Sequence, residues 1–327
     1  MLKVALIGLG GMGRGHYKSY KKLDGAKVVA VVEMNPDAAR EKFGEDDVKI
    51  YTSMDELFAK EEVDIVDICT PTYMHANMCV KALEAGYHVL CEKPLALTNE
   101  DVAKIKAAAK ASGKTFMVAH VVRFMTPYIY LRNLIKNETY GKLKKLSMRR
   151  VSKLPDWGYE NWFADVLRSG GAALDMGVHD IDFVQSVLGM PDTTCSAYYK
   201  MHGENGSNDF LFSTLVYGDA VVSIESGWYA CDYKFEATYE AVFERARVRR
   251  ERSKTFVGEE EVEMKLGEAA EDTGIGTTGA DGYTEEIAYF IDCVNKGIKD
   301  PDYVSIESVQ NSIKLARCLI DSAITLE

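Results

Sequence analysis

The sequence predicts an α/β chain in two parts: a doubly wound parallel sheet first, then an α+β region with a mainly antiparallel sheet. Two observations predict this. In the first 120 residues, short apolar runs at 4–7, 28–32, 65–69, 89–91 and 115–119 alternate with segments of helical composition, such as 76–85 and 101–111. Strands alternating with helices imply βαβ units. After about Arg123 the runs become longer, partly alternating and successive: 143–151, 195–201, 210–217, 221–227 and 235–248. That texture suits antiparallel pairing, with one face buried and one solvated. Helical segments at 172–188, 284–295 and 306–324 interrupt or close this part. The domains are therefore 1–122 and 123–327.

The first run leads directly into Gly8-Leu9-Gly10-Gly11-Met12-Gly13, which is G-x-G-x-x-G, and a helical stretch follows through Tyr20. Alone the pattern says little; between a strand and a helix it has a mechanism. Gly8 permits the tight turn, Gly10 lets the backbone approach a pyrophosphate, and Gly13 lets helix and strand pack closely. The helix N-terminus would hold the pyrophosphate. The second run ends at Glu33, 20 residues after Gly13. That is the spacing of the acid that binds the adenosine ribose hydroxyls. A carboxylate there repels a 2′-phosphate, so NAD is favoured over NADP. The first domain is thus read as an NAD-binding Rossmann domain.

The third run ends in Thr70-Pro71, at the same sheet edge, and His75 opens the next helix. Thr70-Pro71 reads as a wall of the cofactor crevice or as a plain strand-to-helix turn; His75 suits capping or packing. The fourth run ends in Cys91-Glu92-Lys93-Pro94, where the proline stops the strand. Thr98 is an N-cap, with Asp101 three residues on. Lys93 then lies at the carboxyl end of a strand, the edge where open α/β sheets bind ligands. A lysine there can hold a substrate oxygen, although a solvated lysine fits the local residues equally well.

The other dense segment is 170–182, with Asp175, His179 and Asp182. On one continuous helix Leu174, Val178, Ile181 and Leu188 share an apolar face, and the three polar residues cluster within roughly 60° on its shoulder. Asp175 and His179 are then i,i+4 neighbours, and a carboxylate beside an imidazole suits proton transfer. An ordinary helix ion pair explains the same spacing. Gly170 and Gly171 leave the helix N-terminus bare, open to a flat ligand. Trp157, Tyr159, Trp162 and Phe163 precede the segment, as ring-stacking groups or as core.

Composition limits the partners. The 327 residues are 47% hydrophobic with a formal net charge of −11, which disfavours nucleic acid and anionic membranes. The basic stretch Arg245, Arg247, Arg249, Arg250, Arg252 and Lys254 fits a solvated strand face, with Glu259, Glu260, Glu261 and Glu263 near to neutralise it. Seven cysteines, an odd number with no C-x-x-C, fit free thiols in a reducing cytoplasm and no metal site. No apolar stretch approaches the roughly 18 residues of a membrane span. Residues 4–7 read as a strand and not as a signal peptide. The loop 274–282, rich in glycine, is either a lid or a plain connection.

Together these residues resemble the Gfo/Idh/MocA oxidoreductase family, which includes glucose–fructose oxidoreductase and inositol 2-dehydrogenase. The resemblance covers nearly the whole chain and rests on residues 8–13, Glu33, Thr70-Pro71, His75, Cys91-Glu92-Lys93-Pro94, Arg123-Phe124, and the run from Trp162 through Gly170-Gly171 to Asp175, His179 and Asp182. It implies a Rossmann domain, a second domain with an open, mostly antiparallel sheet, and a cofactor in the cleft between them. Lys93, Asp175 and His179 match the family's catalytic trio, and Tyr283 falls where relatives have a substrate-contacting tyrosine. Glu92, Lys93 and Arg123 join the glycines, Glu33, Thr70, Pro71 and His75 as implied cofactor-binding positions. The expected activity is NAD-dependent oxidation of a secondary alcohol of a sugar, cyclitol or polyol, by a homodimer or homotetramer pairing through the outer sheet face. An NAD-using glycoside hydrolase and a non-catalytic NAD-binding regulator are the rival readings; retention of the trio speaks against the regulator. Three departures stand out: Ala172 replaces a third glycine, Phe163 an arginine, and 240–244 lacks a glycine hairpin.

Overall fold

A computed structural model of the chain describes residues 1–43, 47–201, 208–251, 254–264 and 282–326. Arg252 and the loop 274–281 lie outside the described residues. The chain divides into two units, Met1–Val121 with Tyr283–Val309, and Val122–Gly282 with Gln310–Glu327. The sequence boundary at 122/123 lies beside this division, and the segment 283–309 belongs to the first unit.

The first unit runs β1 (Leu2–Ile7), α1 (Gly11–Tyr20), β2 (Ala26–Val32), α2 (Pro36–Phe43), β3 (Lys49–Tyr51), α3 (Met54–Lys60), β4 (Ile65–Ile68), α4 (Thr72–Glu84), β5 (His88–Glu92), α5 (Asn99–Ser112) and β6 (Phe116–Ala119). Its six strands are all parallel, in the order β3-β2-β1-β4-β5-β6. β4 is buried along its whole length, which is why it reads as a continuous run instead of alternating. Polar caps set the helix starts: Ser53 accepts from the Glu56 N–H at 3.2 Å and Thr98 from the Asp101 N–H at 3.1 Å. Gly113 ends α5 at φ +66°.

The second unit continues with α6 (Thr126–Lys136), β7 (Leu143–Lys153), α7 (Val166–Ser169), α8 (Gly171–Asp175), α9 (Gly177–Leu188), β8 (Thr193–Met201), β9 (Asn208–Tyr217), β10 (Ala220–Tyr229), β11 (Glu236–Phe243), β12 (Arg247–Glu251), β13 (Lys254–Val257) and β14 (Glu260–Val262). The chain then returns to the first unit with nearly all of α10 (Gly282–Asn295) and the start of α11 (Ile306–Asp321), and the rest of α11 and β15 (Ile324–Leu326) belong to the second. Among the described residues nine strands form one open sheet, β14-β13-β12-β11-β7-β10-β9-β8-β15, in which only β7–β10 and β8–β15 pair in parallel.

Alternation decides which face is covered. Val222, Ile224 and Trp228 of β10, with Leu146 and Met148 of β7, are buried on the face that carries α9. The outer face is polar. Ser223 donates to Ser147 at 2.9 Å, and Arg149 pairs with Glu225 at 3.1 Å and Glu236 at 2.7 Å. Phe212 and Val221 are its exposed apolar side chains.

Four expectations change. The run 235–248 is a hairpin, closed without glycine by the Phe243 N–H donating to the Ala246 carbonyl at 2.8 Å. The helix 172–188 is two helices broken at Met176, and Leu188 is only half-buried. The last helix stops at Asp321, and Ile324, 65% exposed, begins a strand instead that pairs with β8. The arginines of β12 are met by carboxylates not only from the following acidic stretch: Arg249 pairs with Glu251 and Glu259, Lys254 with Glu261, and Arg247 with Glu240 of β11. Cys69, Cys79, Cys91 and Cys293 are buried thiols, whereas Cys195, Cys231 and Cys318 are exposed. Among the described residues no helix is long and apolar enough to cross a membrane.

Candidate active site

In the first unit the glycine turn is built as a cradle. Gly8 sits at φ +89°, and a Cβ there would lie 2.9 Å from the Cys69 carbonyl oxygen. A Cβ on Gly13 would lie 2.0 Å from the Gly8 carbonyl oxygen, so α1 approaches the turn only because Gly13 has none. Gly10, by contrast, faces open space, and Gly10 N-caps α1 with no side-chain cap and no acid in the first turn. Helix N–H groups left uncapped beside an open glycine fit a dinucleotide pyrophosphate. Glu33 closes the turn from the end of β2, accepting the Leu9 N–H at 3.1 Å and the Asn35 N–H at 3.2 Å. Gly11 and Met12 form the first turn of α1. The residues fit a bound NAD.

The loops after β4 and β5 are tied together. Thr70 lies against Gly8, and Pro71 N-caps α4. His75 is 1% exposed, with its ring nitrogens 2.8 Å from the carbonyl oxygens of Pro94 and Thr70. Burial lowers its pKa, and the two carbonyls work against this. His75 therefore acts as a clamp between two edge loops. Lys93 is half-buried at the end of β5, and the Lys93–Pro94 peptide is cis. The Lys93 N–H donates to Glu92 Oε2 at 3.0 Å. Tyr283 belongs to this unit too, at the start of α10, where the next residue, Thr284, donates to Ser19 of α1 at 3.2 Å.

Sequence reasoning missed the group behind Lys93. His16 of α1 is fully buried, with Nδ1 2.8 Å from Asp67 Oδ2 and Nε2 3.0 Å from Glu92 Oε1. Cys69 Sγ lies 3.4 Å from His16 Nδ1. The signal was a carboxylate, Asp67, inside an otherwise apolar run; a buried charge requires a partner. The donor atoms of His16, Asp67 and Cys69 all lie within 4.8 Å of one another, as metal ligands would, but the His16–Asp67 contact has hydrogen-bond length.

In the second unit, two glycines in left-handed conformation, Gly170 at φ +78° and Gly171 at φ +73°, turn the chain from α7 into α8. The N-terminus of α8 is not bare. Asp209 of β9 accepts the Ala172 N–H at 2.9 Å and the Tyr198 hydroxyl at 3.0 Å, and a Cβ on Gly171 would lie 2.5 Å from its carboxylate. A flat ligand is thus excluded there by a capping carboxylate that lies 38 residues downstream of Gly171, beyond the reach of local pattern reading. Asp175 closes α8 and is 8% exposed; His179, in the first turn of α9, is half-buried. Met176, between α8 and α9, keeps right-handed helical backbone angles, φ −86° and ψ −44°. Gly177 lets α9 approach β10, since a Cβ there would lie 2.7 Å from Ser226 Oγ.

The remaining acids of α9 are anchors. Asp182 takes Arg123 Nε at 2.8 Å and Nη2 at 2.6 Å, and also accepts from Ser312 at 2.8 Å. Asp180 takes Arg150 in the same bidentate way, at 3.2 and 2.7 Å. Arg123, expected among the cofactor contacts, thus commits two donors to the helix that carries His179. Trp162 and Phe163 stack at 4.1 Å and pack with Ala172, Met176 and Trp228 as core, whereas Trp157 and Tyr159 are exposed.

Known proteins share both parts. Residues 2–120 match the model of the oxidoreductase family with an NAD-binding Rossmann fold, and residues 128–249 match the GFO/IDH/MocA C-terminal domain. The 2,7-anhydro-N-acetylneuraminate hydratase of Mediterraneibacter gnavus is 30% identical over 66% of this chain, a match spanning 58% of that relative's length. The inositol 2-dehydrogenase of Rhizobium meliloti is 26% identical over 90% of this chain and 89% of its own. The crystal structure of myo-inositol 2-dehydrogenase from Lactobacillus plantarum superposes with a TM-score of 0.80 at 23% identity, covering 98% of this chain and 97% of that one. With both domain models matched in order along one chain, the protein belongs to the Gfo/Idh/MocA oxidoreductase family.

Proposed function

We propose that the chain is an NAD-dependent dehydrogenase for a secondary alcohol of a sugar, cyclitol or related polyol. The observation that carries this reading is the placement of Lys93, at the carboxyl end of β5 in the same sheet as the glycine cradle, its backbone fixed by Glu92. A bound nicotinamide supplies the hydride acceptor in oxidation and the donor in reduction. The protein's part is proton handling and positioning. His179 takes the hydroxyl proton in oxidation and returns it in reduction. The Lys93 ammonium donates a hydrogen bond to the reacting oxygen and stabilises alkoxide charge as it develops. Asp175 orients the imidazole and supports its cation, and Tyr283 contributes a substrate contact.

The cradle residues Gly8, Leu9, Gly10, Gly11, Met12 and Gly13 hold the pyrophosphate, and Glu33 the ribose, with preference for NAD. Thr70, Pro71 and Glu92 wall the site. His75 and Arg123 serve it through the loops and the helix that they hold. The protein self-associates through the outer face of the nine-stranded sheet and works in the cytoplasm. Light scattering showing only monomer at micromolar concentration contradicts the first of these.

A reading without net redox change is kept because a 30% identical relative is named a hydratase. One assay separates the two. Inositols, aldoses, sugar acids and sugar nucleotides are each incubated with NAD, and NADH is followed by absorbance. Accumulating NADH that disappears with Lys93→Ala supports the dehydrogenase. Product formation with no NADH, from protein purified with NAD bound, supports the other.

A further inference from the structure

We propose that His16 is a positioning residue for Lys93: bridging the Asp67 and Glu92 carboxylates as an imidazolium, it fixes Glu92, which in turn holds the Lys93 backbone. The importance of Lys93 to chemistry rests on the function proposed above; the linkage itself does not.

The geometry has three steps. Asp67 stands on β4 opposite Leu90 of the neighbouring β5, and Glu92 ends β5 two residues further on, which puts the two carboxylates on the same face of the sheet. His16 projects into that space from α1, with one ring nitrogen on each carboxylate, at 2.8 and 3.0 Å. Glu92 then uses its second oxygen for the Lys93 N–H, at 3.0 Å. A neutral ring has one N–H and would turn a lone pair toward one of the carboxylates. A doubly protonated ring gives each carboxylate a donor.

The surroundings agree. Tyr20 from α1, Asp67 from β4 and Cys69 just after it, and Glu92 from β5 and Lys93 just after it are titratable groups acting on the ring or its partners. Burial works against the imidazolium, but the charges of Asp67 and Cys69 and the hydrogen bonds to both together outweigh it, and His16 is held well above its ordinary pKa. Burial likewise opposes ionisation of Glu92, yet His16 and Lys93 keep it below the usual carboxylate range. A buried ionic array is a poor way to gain stability, because desolvation cancels much of the attraction. What the array does provide is a fixed origin for Lys93 relative to α1, the helix that begins at the glycine cradle.

The test uses the full chain and has two readouts. Side-chain nitrogen NMR of the wild type should show both His16 ring nitrogens protonated at pH 8. A singly protonated ring, or one equivalent of tightly bound metal with Nδ1 as ligand, overturns the bridge. Second, acetic anhydride labelling of Lys93 is compared with that of exposed lysines by peptide mass spectrometry. His16→Gln and Glu92→Gln should each change the relative reactivity of Lys93 about threefold or more, with the double variant no further changed, because they act through one path. Unchanged labelling overturns the positioning role. Glu92→Gln keeps size and an acceptor oxygen, so it carries this readout if His16→Gln does not fold. Activity separates the two proposals: a Lys93→Ala enzyme with full turnover sinks the catalytic assignment but leaves the labelling result standing, and the reverse pair of outcomes does the opposite.

Discussion

The two units treat His16 and His179 in opposite ways. His16 is fully buried, with both ring nitrogens committed to side chains that are themselves buried. His179 stands half-buried in the first turn of a helix, just past a break in the chain. A ring clamped on both sides has no route to exchange a proton with a ligand. A ring at a helix start with accessible surface can titrate in contact with one. The same contrast holds within α9, where Asp180 and Asp182 are consumed by Arg150 and Arg123 while His179 lies on a less buried side. Residue type alone does not separate anchor from reactant; burial and the number of committed atoms do.

The largest expected effect tests whether Arg123 is an anchor. Arg123→Ala leaves Asp182 buried without its cation, which costs about 3–5 kcal/mol for a pair of this kind. Denaturant unfolding of the variant should show that loss, with the transition of the second unit most affected. A change under about 1 kcal/mol, the scale of an exposed pair, would instead free Arg123 to be read as a cofactor contact and break the comparison.

Next in size is the loss of the proposed reactants. Lys93→Ala and His179→Ala should each lower kcat by about 10²-fold or more, the usual weight of a lost acid–base or charge-stabilising group. NAD affinity, measured by calorimetry, should change far less, since the cradle and Glu33 are untouched. Asp175→Asn should be milder and should move the pH profile of kcat. Near-normal turnover in His179→Ala would make His179 another structural residue and erase its difference from His16.

Much of this was legible in the sequence, for identifiable reasons. The capped start of α5 is a local device, set by residues within one turn of chain, and the glycine turn and Glu33 stand at spacings that the dinucleotide-binding mechanism itself prescribes. The parallel strands were legible because burial on both faces makes them continuous apolar runs. What could not be read depends on distant partners. Asp209 caps α8 from another strand, Arg123 reaches Asp182 across 59 positions, and Glu92 meets His16 across 76. Gly177 likewise answers to a distant residue, since a Cβ there would meet Ser226 Oγ. Asp67 was the one long-range feature with a local clue, a carboxylate in a buried strand.

The buried ring also predicts a pH dependence, smaller in size. His16 has a raised folded-state pKa, so its contribution is complete below its ordinary 6.5 and is lost as pH rises through the folded value. Glu92 has a lowered one, so its contribution is present above its ordinary 4.5 and is lost as pH falls through the folded value. The stability gap between the wild type and His16→Gln should therefore be widest between pH 4.5 and 6.5 and narrow on either side. Its slope is limited to about 1.4 kcal/mol per pH unit for each proton. Unfolding curves at pH 3.5, 5.5 and 8.5 measure it, and a gap that does not vary with pH contradicts a charged bridge.

The smallest effect concerns Glu33, which belongs to neither class. It is partly exposed, as a ligand contact should be, yet both carboxylate oxygens already accept backbone N–H groups, from Leu9 and Asn35. Two roles therefore compete: repelling a 2′-phosphate by charge, and holding the glycine turn by hydrogen bonds. Substitutions separate them. Glu33→Ala removes both and should shift the NAD-to-NADP ratio of kcat/KM toward NADP by about 3–10-fold, near 1 kcal/mol. Glu33→Gln removes the charge and keeps an oxygen for the Leu9 N–H. If charge sets the preference, Gln should shift the ratio as far as Ala while NAD affinity stays closer to that of the wild type. If the turn is what matters, Gln should resemble the wild type in both, and Ala should lose affinity for NAD and NADP alike. Equal efficiency with both cofactors in the unmodified protein removes the premise, and Glu33 then joins His16 as a residue whose acceptors serve only the fold.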